Sequence, residues 1–212
     1  MNRIISTFVL MACITYTPLA VSASPCPPYA TRYLKQWDPT TPLDGYSCGN
    51  ELSNLQVTLP APMKVVAAGG LWWADGREID LKRQKVSLDH YTNGDIPHGQ
   101  IFIGGRIRLS GVLAYEPGNS GDAWFFPQPA LISPQYKALA AELRSLKFIG
   151  DRSLAKFGFS QSLLSSNCFR ANANIEIDGI SLLIGETDEA GAYPIFFNVL
   201  NVSGVKKCST KE

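Results

Sequence analysis

The alternation in residues 107–115 constrains the fold more than any other feature of the chain. Ile107, Leu109, Gly111, Leu113 and Tyr115 hold the odd positions, and Arg106, Arg108 and Ser110 sit between them. Side chains of a strand repeat on one face every second residue, so this pattern describes a strand with one face in a core and one in water. Residues 116–122 then supply Pro117, Gly118, Asn119, Ser120 and Gly121. These favour turns, because Pro presets φ while Gly and Asn tolerate positive φ. Residues 123–127, AWFFP, return as a short aromatic strand. The stretch 101–127 is therefore expected to be a β-hairpin around which the rest is organised.

Further strands are expected on both sides of it. Residues 51–59 and 63–73 look like strands separated by Pro60 and Pro62, with Asp75-Gly76 as a hairpin turn into 78–88. Near the C-terminal end, Phe169, Ala171, Ala173, Ile175 and Ile177 alternate with Arg170, Asn172, Asn174 and Glu176. Asp178-Gly179 is expected to turn this strand back into 180–184, and 193–202 supplies a third. Two helices are expected. A short one lies around 29–37, and an amphipathic one starts at Ser133-Pro134, with Ser133 as N-cap. Along the latter, Tyr136, Leu139, Ala140, Leu143 and Leu146 recur at helical spacing. Residues 147–167, rich in Gly and Ser, form a connector.

The expected fold is α+β and β-dominated: two antiparallel β-rich units, meanders or OB-like half-barrels, joined by one amphipathic helix and carrying two disulfides. The expected organisation is a signal peptide over 1–23 and a disulfide-stapled cover over 24–50. A β-rich unit over 51–132, a helix and connector over 133–167 and a C-terminal meander over 168–212 complete it.

The leader assignment rests on Arg3, an apolar run from Ile4 to Ile14, and Val21-Ser22-Ala23 as a small-residue cleavage site. Leu10-Met11-Ala12-Cys13 resembles a bacterial lipoprotein box, which implies a lipid anchor on Cys13 as the alternative to a free periplasmic or secreted protein. Arg3 is the only charged residue in the leader, so its removal brings 19 basic side chains level with 18 acidic ones. A neutral chain is a poor nucleic-acid binder. Cys26, Cys48, Cys168 and Cys208 remain, an even number in an exported chain. They are expected to pair as Cys26–Cys48 and Cys168–Cys208, each bracketing one terminal unit.

Candidate chemistry is sparse. His90 and His98, the only histidines, flank a polar loop with no zinc or calcium spacing. No metal or cofactor is expected. Trp72-Trp73 beside Gly69-Gly70 suggests a carbohydrate or peptide platform, but adjacent strand residues face opposite ways, so one is expected in the core. Lys82, Arg83 and Lys85 are read as a solvated edge.

Gly118-Asn119-Ser120-Gly121 resembles the sequence around the nucleophile of chymotrypsin-like serine proteases, which implies a nucleophilic role for Ser120. The match stops at Asp122, where that family has a second glycine, and both histidines lie too close in sequence for its barrel. Ser110-Gly111 and Tyr115 resemble the Ser-Gly-x-x-Tyr element of periplasmic lysozyme inhibitors with one additional residue, which implies an inhibitor.

The expected function is that of an exported periplasmic binding or inhibitor protein, not an enzyme. An immunity protein neutralising an envelope-targeting antibacterial toxin is the narrower form. A serine-type envelope hydrolase, using Ser120 or an acid pair such as Glu186 and Asp188, and a structural envelope component are the alternatives. The partner is expected to be another protein, a toxin or envelope enzyme, with no membrane span in the mature chain. Glu186, Asp188 and Glu189, clustered before Tyr193, are the expected binding residues. Their charges would set the association rate and the tyrosine would supply buried contact.

Overall fold

The computed structural model describes residues 26–89, 97–116, 122–133, 142–159, 168–185 and 190–208. Three long strands carry the fold: β5 (His98–Tyr115), β8 (Phe169–Ile184) and β9 (Gly191–Lys207). The expected hairpin is present, with β5 antiparallel to β6 (Ala123–Gln128) from Ser110↔Gln128 to Tyr115↔Ala123. On its other edge β5 pairs with β8 along nearly its whole length, from Gly99↔Ile184 to Tyr115↔Phe169. β8 then pairs with β9, β6 pairs with β7 (Leu146–Phe148), and β7 meets β9 in parallel at the single pair Leu146↔Ala192. The order β5-β6-β7-β9-β8 thus returns to β5. With α2 (Gly150–Ala155) between its third and fourth strands, this ring has the connectivity of an OB-type barrel. Strands β5 and β6 of the first expected β-rich stretch and β8 and β9 of the second therefore share one sheet.

The N-terminal part is appended to this ring. α1 (Pro28–Trp37) begins with proline in its first turn, where the missing N–H is harmless. β1 (Tyr46–Cys48) pairs with β3 (Lys64–Trp72), and β3 pairs with the first half of β5. The barrel interior and the space behind β3 form one core that includes Leu113, Phe125, Leu146, Phe148, Phe169 and Ile177. A second cluster forms where Ala30, Tyr33 and Leu34 of α1 cover Val66, Phe102 and the Cys26–Cys48 bridge. Both expected disulfides are present, and Cys168–Cys208 ties the start of β8 to the end of β9. Cys208 N donates to Cys168 O at 3.0 Å beside it.

Several expectations are corrected. Asp178-Gly179 is not a turn: β8 runs straight through it, because β5 and β9 pair with β8 on both sides and a reversal there would break both ladders. Gly179 uses its positive φ of 91° to bend within the strand, opposite a register shift between Ile103 and Arg106. A Cβ on Gly179 would lie 2.5 Å from the Tyr33 ring, so α1 packs into a notch that only glycine leaves open.

Residues 51–59 form a 3-10 turn (Gly49–Asn54) and the two-residue strand β2 (Leu55–Gln56) instead of one strand. Ser53 Oγ donates to Asn50 O, and Asn54 Nδ2 to Leu81 O, so local polar side chains displace the ladder. The Asp75-Gly76 turn closes, with Gly76 N donating to Trp73 O, but its return strand stops after the Trp72↔Glu78 bridge. Asp80 then captures the amides of Lys82, Arg83 and Gln84 and turns the chain out, before β4 (Val86–Ser87) pairs with β2. Leu146, placed by periodicity on a helix, starts β7, and the expected connector holds α2. Most of the helix from Ser133, like the leader, lies outside the described residues.

The Cys168–Cys208 bridge closes a loop with a sequence separation of 40 and clamps two of the three long strands. Replacing both cysteines by serine should lower stability by about 3–4 kcal/mol, read from urea unfolding of the otherwise oxidised protein. A loss below about 1 kcal/mol would show that the ladder holds this end without the bridge.

Candidate functional site

β6 presents an aromatic surface. In AWFFPQ, Ala123, Phe125 and Pro127 point inward and are buried, so Trp124, Phe126 and Gln128 point out. Register places each outward residue in a row across the barrel. Trp124 stands opposite Ala114, Ala114 opposite Arg170, and Arg170 opposite Lys206. In the next row Phe126 stands opposite Val112, and Val112 opposite Asn172. Small side chains at 112 and 114 thus form a floor between an aromatic wall and a cationic one, a concavity of about 520 Å³ that also touches Glu116. Phe126 is 43% exposed. Among the described residues neither Arg170 nor Lys206 has an ion-pair partner, although they are directly opposed like charges.

The wall is braced from behind. Lys147 on β7 lies 5.3 Å from the Trp124 ring and 5.9 Å from that of Tyr193, and its Nζ is 3.2 Å from Asp122 Oδ2. Both partners are nearly buried, and among the described residues Asp122 Oδ1 has no hydrogen-bond partner. A buried pair of this kind fixes geometry more than it adds stability.

A second concavity, about 310 Å³, lies at the far end of β5 and is bordered by Trp72, Tyr46, His98 and Gln100. A register shift between Gly69 and Trp72 turns the Trp72 indole outward, 43% exposed, while Leu71 is buried and Trp73 packs on the core. The split expected for the two tryptophans is present. The Trp72 and His98 rings are nearly parallel, with centroids 6.2 Å apart. Tyr46 Oη donates to Gln100 Oε1 at 3.2 Å, and Gln100 Nε2 to the fully buried Ser181 Oγ at 2.8 Å. His98 Nε2 is buried without a partner among the described residues, a state that costs about 1–3 kcal/mol.

α1 meets the barrel through Asp178, which accepts hydrogen bonds from Arg32, from Tyr33 Oη at 2.8 Å and from Arg106 at 3.4 Å. Burial works against ionisation of Asp178, but the Tyr33 and Arg32 hydrogen bonds, the Arg32 charge and Arg106 together outweigh it and hold the carboxyl below the ordinary aspartate range. Tyr33 is shifted the other way, pushed up by burial and then by its bond to Asp178.

The sequence-predicted site fares differently. Glu186, Asp188 and Glu189 lie outside the described residues, as do His90 and Ser120. Tyr193 lies within β9 and is 4% exposed, its ring 5.5 Å from Trp37, so burial already commits it to the interior. Lys82, Arg83 and Lys85 are exposed, with Lys82 near Glu51 and Arg83 near Asp80, as expected of a solvated edge. Sequence reasoning missed Trp124, Phe126 and Arg170 as a group. The alternation of 123–128 was the available signal for the aromatics, but only the register brings Arg170 beside them.

Among the described residues no three or more His, Cys, Asp or Glu side chains are grouped to hold a metal, and no helix is long and apolar enough to cross a membrane. Compared with known protein families, curated proteins and solved structures, the chain matches none.

The Asp178 cluster has a testable pH signature. A depressed carboxylate pKa contributes stability above the unfolded value of about 3.9, and that contribution is lost as pH falls through the folded value. The stability difference between the native protein and Asp178→Asn should therefore be full at neutral pH and shrink below about pH 4, as read from thermal unfolding across pH. A difference that stays constant down to about pH 2 would remove Asp178 as the anchor of α1.

Proposed function

We propose that this is an exported binding protein of the inhibitor type that engages another protein through the outer face of β6 and Arg170, without catalysis of its own. The observation that carries the reading is the outward pair Trp124 and Phe126, held on a strand whose inner residues are buried, beside two cations without ion-pair partners among the described residues. Tryptophan, aromatic and arginine side chains supply most of the energy at protein interfaces, above all where they are already ordered. Arg170 opposite Lys206 repels, and acidic groups of a partner relieve that repulsion while steering its approach. The partner surface that fits is therefore acidic around an apolar recess. OB-type barrels commonly bind on the face of their second and third strands, and the concavity shares the second of these, β6, with that face. That analogy supports the location and not the ligand.

Periplasmic residence is part of the proposal, supported by two disulfides of the kind that persist in oxidising compartments. Within it, neutralisation of an envelope-targeting antibacterial toxin is the partner relation put forward.

A photo-crosslinking side chain at position 126 should give a discrete adduct in periplasmic extract, and the same group at Leu200, exposed on β9, should not. Unlabelled native protein should compete the adduct away, whereas the Trp124→Ala, Phe126→Ala double variant should need at least about 100-fold more. No adduct at 126, equal adducts at both positions, or equal competition by the double variant overturns the reading.

A further inference from the structure

We propose that the cleft beneath Trp72 is a binding site for a neutral glycan, taking one hexopyranose ring against the indole, with its hydroxyls hydrogen-bonded by Tyr46 and His98. A pyranose has an apolar C–H face that packs on an indole and hydroxyls that project around its edge, so it needs one exposed aromatic plane and in-plane polar groups. The cleft offers that combination. Trp72 is exposed by a register shift, and a volume of about 310 Å³ is at the small end of ligand sites.

The floor is bare backbone. A Cβ on Gly99 would lie 2.4 Å from Gly70 O, and one on Gly69 would lie 2.5 Å from the Tyr46 ring, so neither position accepts a side chain that would fill the space. The polar groups are fixed in advance. Gln100 spends its oxygen on the Tyr46 hydroxyl and its nitrogen on buried Ser181, which leaves the Tyr46 oxygen held in place as an acceptor. The His98 ring lies nearly parallel to the Trp72 indole with centroids 6.2 Å apart, and its buried Nε2 has no partner among the described residues, so an outward movement of Trp72 would offer it to a ligand hydroxyl. Among the described residues no Lys, Arg, Asp or Glu lines the cleft, which favours an uncharged ligand. A purely structural corner would be cheaper with apolar side chains in place of this buried polar relay.

The site is separate from the β6 face, and its test separates the two. The mature, oxidised protein is titrated with chitotetraose, cellotetraose and maltotetraose, followed by tryptophan fluorescence and by the imidazole NMR signals of His98. At least one sugar should give a saturable change in both. Trp72→Ala should weaken binding by about tenfold or more, Trp72→Phe should keep part of the affinity, and His98→Ala should weaken it with the fluorescence change retained. Trp124→Ala should leave it unchanged. Trp72 is exposed, so its variants should stay folded by near-ultraviolet circular dichroism. No saturation by any of the three sugars up to about 10 mM overturns the proposal, as does equal affinity of Trp72→Ala. Saturation by N-acetyltryptophanamide with no response to sugars assigns the cleft to an aromatic side chain and also overturns it.

Discussion

The ladder between β5 and β8 is the interaction on which everything else depends. β5 is paired with β8 on one edge throughout, and on the other edge its first half holds β3 and its second half holds β6. One strand therefore belongs to both the N-terminal appendage and the barrel. The cross-strand rows that define the aromatic surface are also set by this ladder, because a shift of one residue would move every side chain of β8 to the other face. Arg170 would then point into the core and a phenylalanine would face water. Contact between β5 and β8 spans a long stretch of sequence, so the structure depends on a non-local pairing that forms only after considerable loop closure.

Much of this was legible in the sequence, and what was not has physical causes. The period-2 runs at 107–115 and 169–177 announced strands because one face of each is wet. The cysteine pairing followed from bracketing. The Asp178-Gly179 dipeptide misled because glycine's freedom at positive φ serves a bend as well as a reversal, and only the neighbours on both edges decide which. Residues 78–88 misled because a single aspartate, Asp80, draws three following amides out of the ladder. Tyr193 follows the acidic cluster in sequence as an aromatic anchor, but it packs against Trp37, far away in the chain. Chain proximity does not tell which side chains of different strands share a face of a barrel.

The same distinction explains the site. Aromatics at 124 and 126 are visible as a pattern, yet their meaning comes from Val112 and Ala114 being small and from Arg170 being across from them. Three segments contribute, and none is unusual alone. The Trp72 cleft is assembled likewise from β1, β3, β5 and β8. In both places an exposed aromatic stands on a rigid ladder, and rigidity is what keeps the entropic loss on binding small.

The barrel closes at its seam by one parallel pair, Leu146↔Ala192, and among the described residues the remainder of β9 has a partner on one side only. Such an open edge is a template on which a second chain can zip, and Leu200 and Val205 along it are exposed and apolar. Self-recognition is held off by irregularity and charge. Gly204, at a φ of 63°, breaks the regular backbone spacing a docking strand would need, and exposed Lys206 and Lys207 follow at once. Protection of this edge thus rests on Gly204, Lys206 and Lys207, at the exposed end of the last strand.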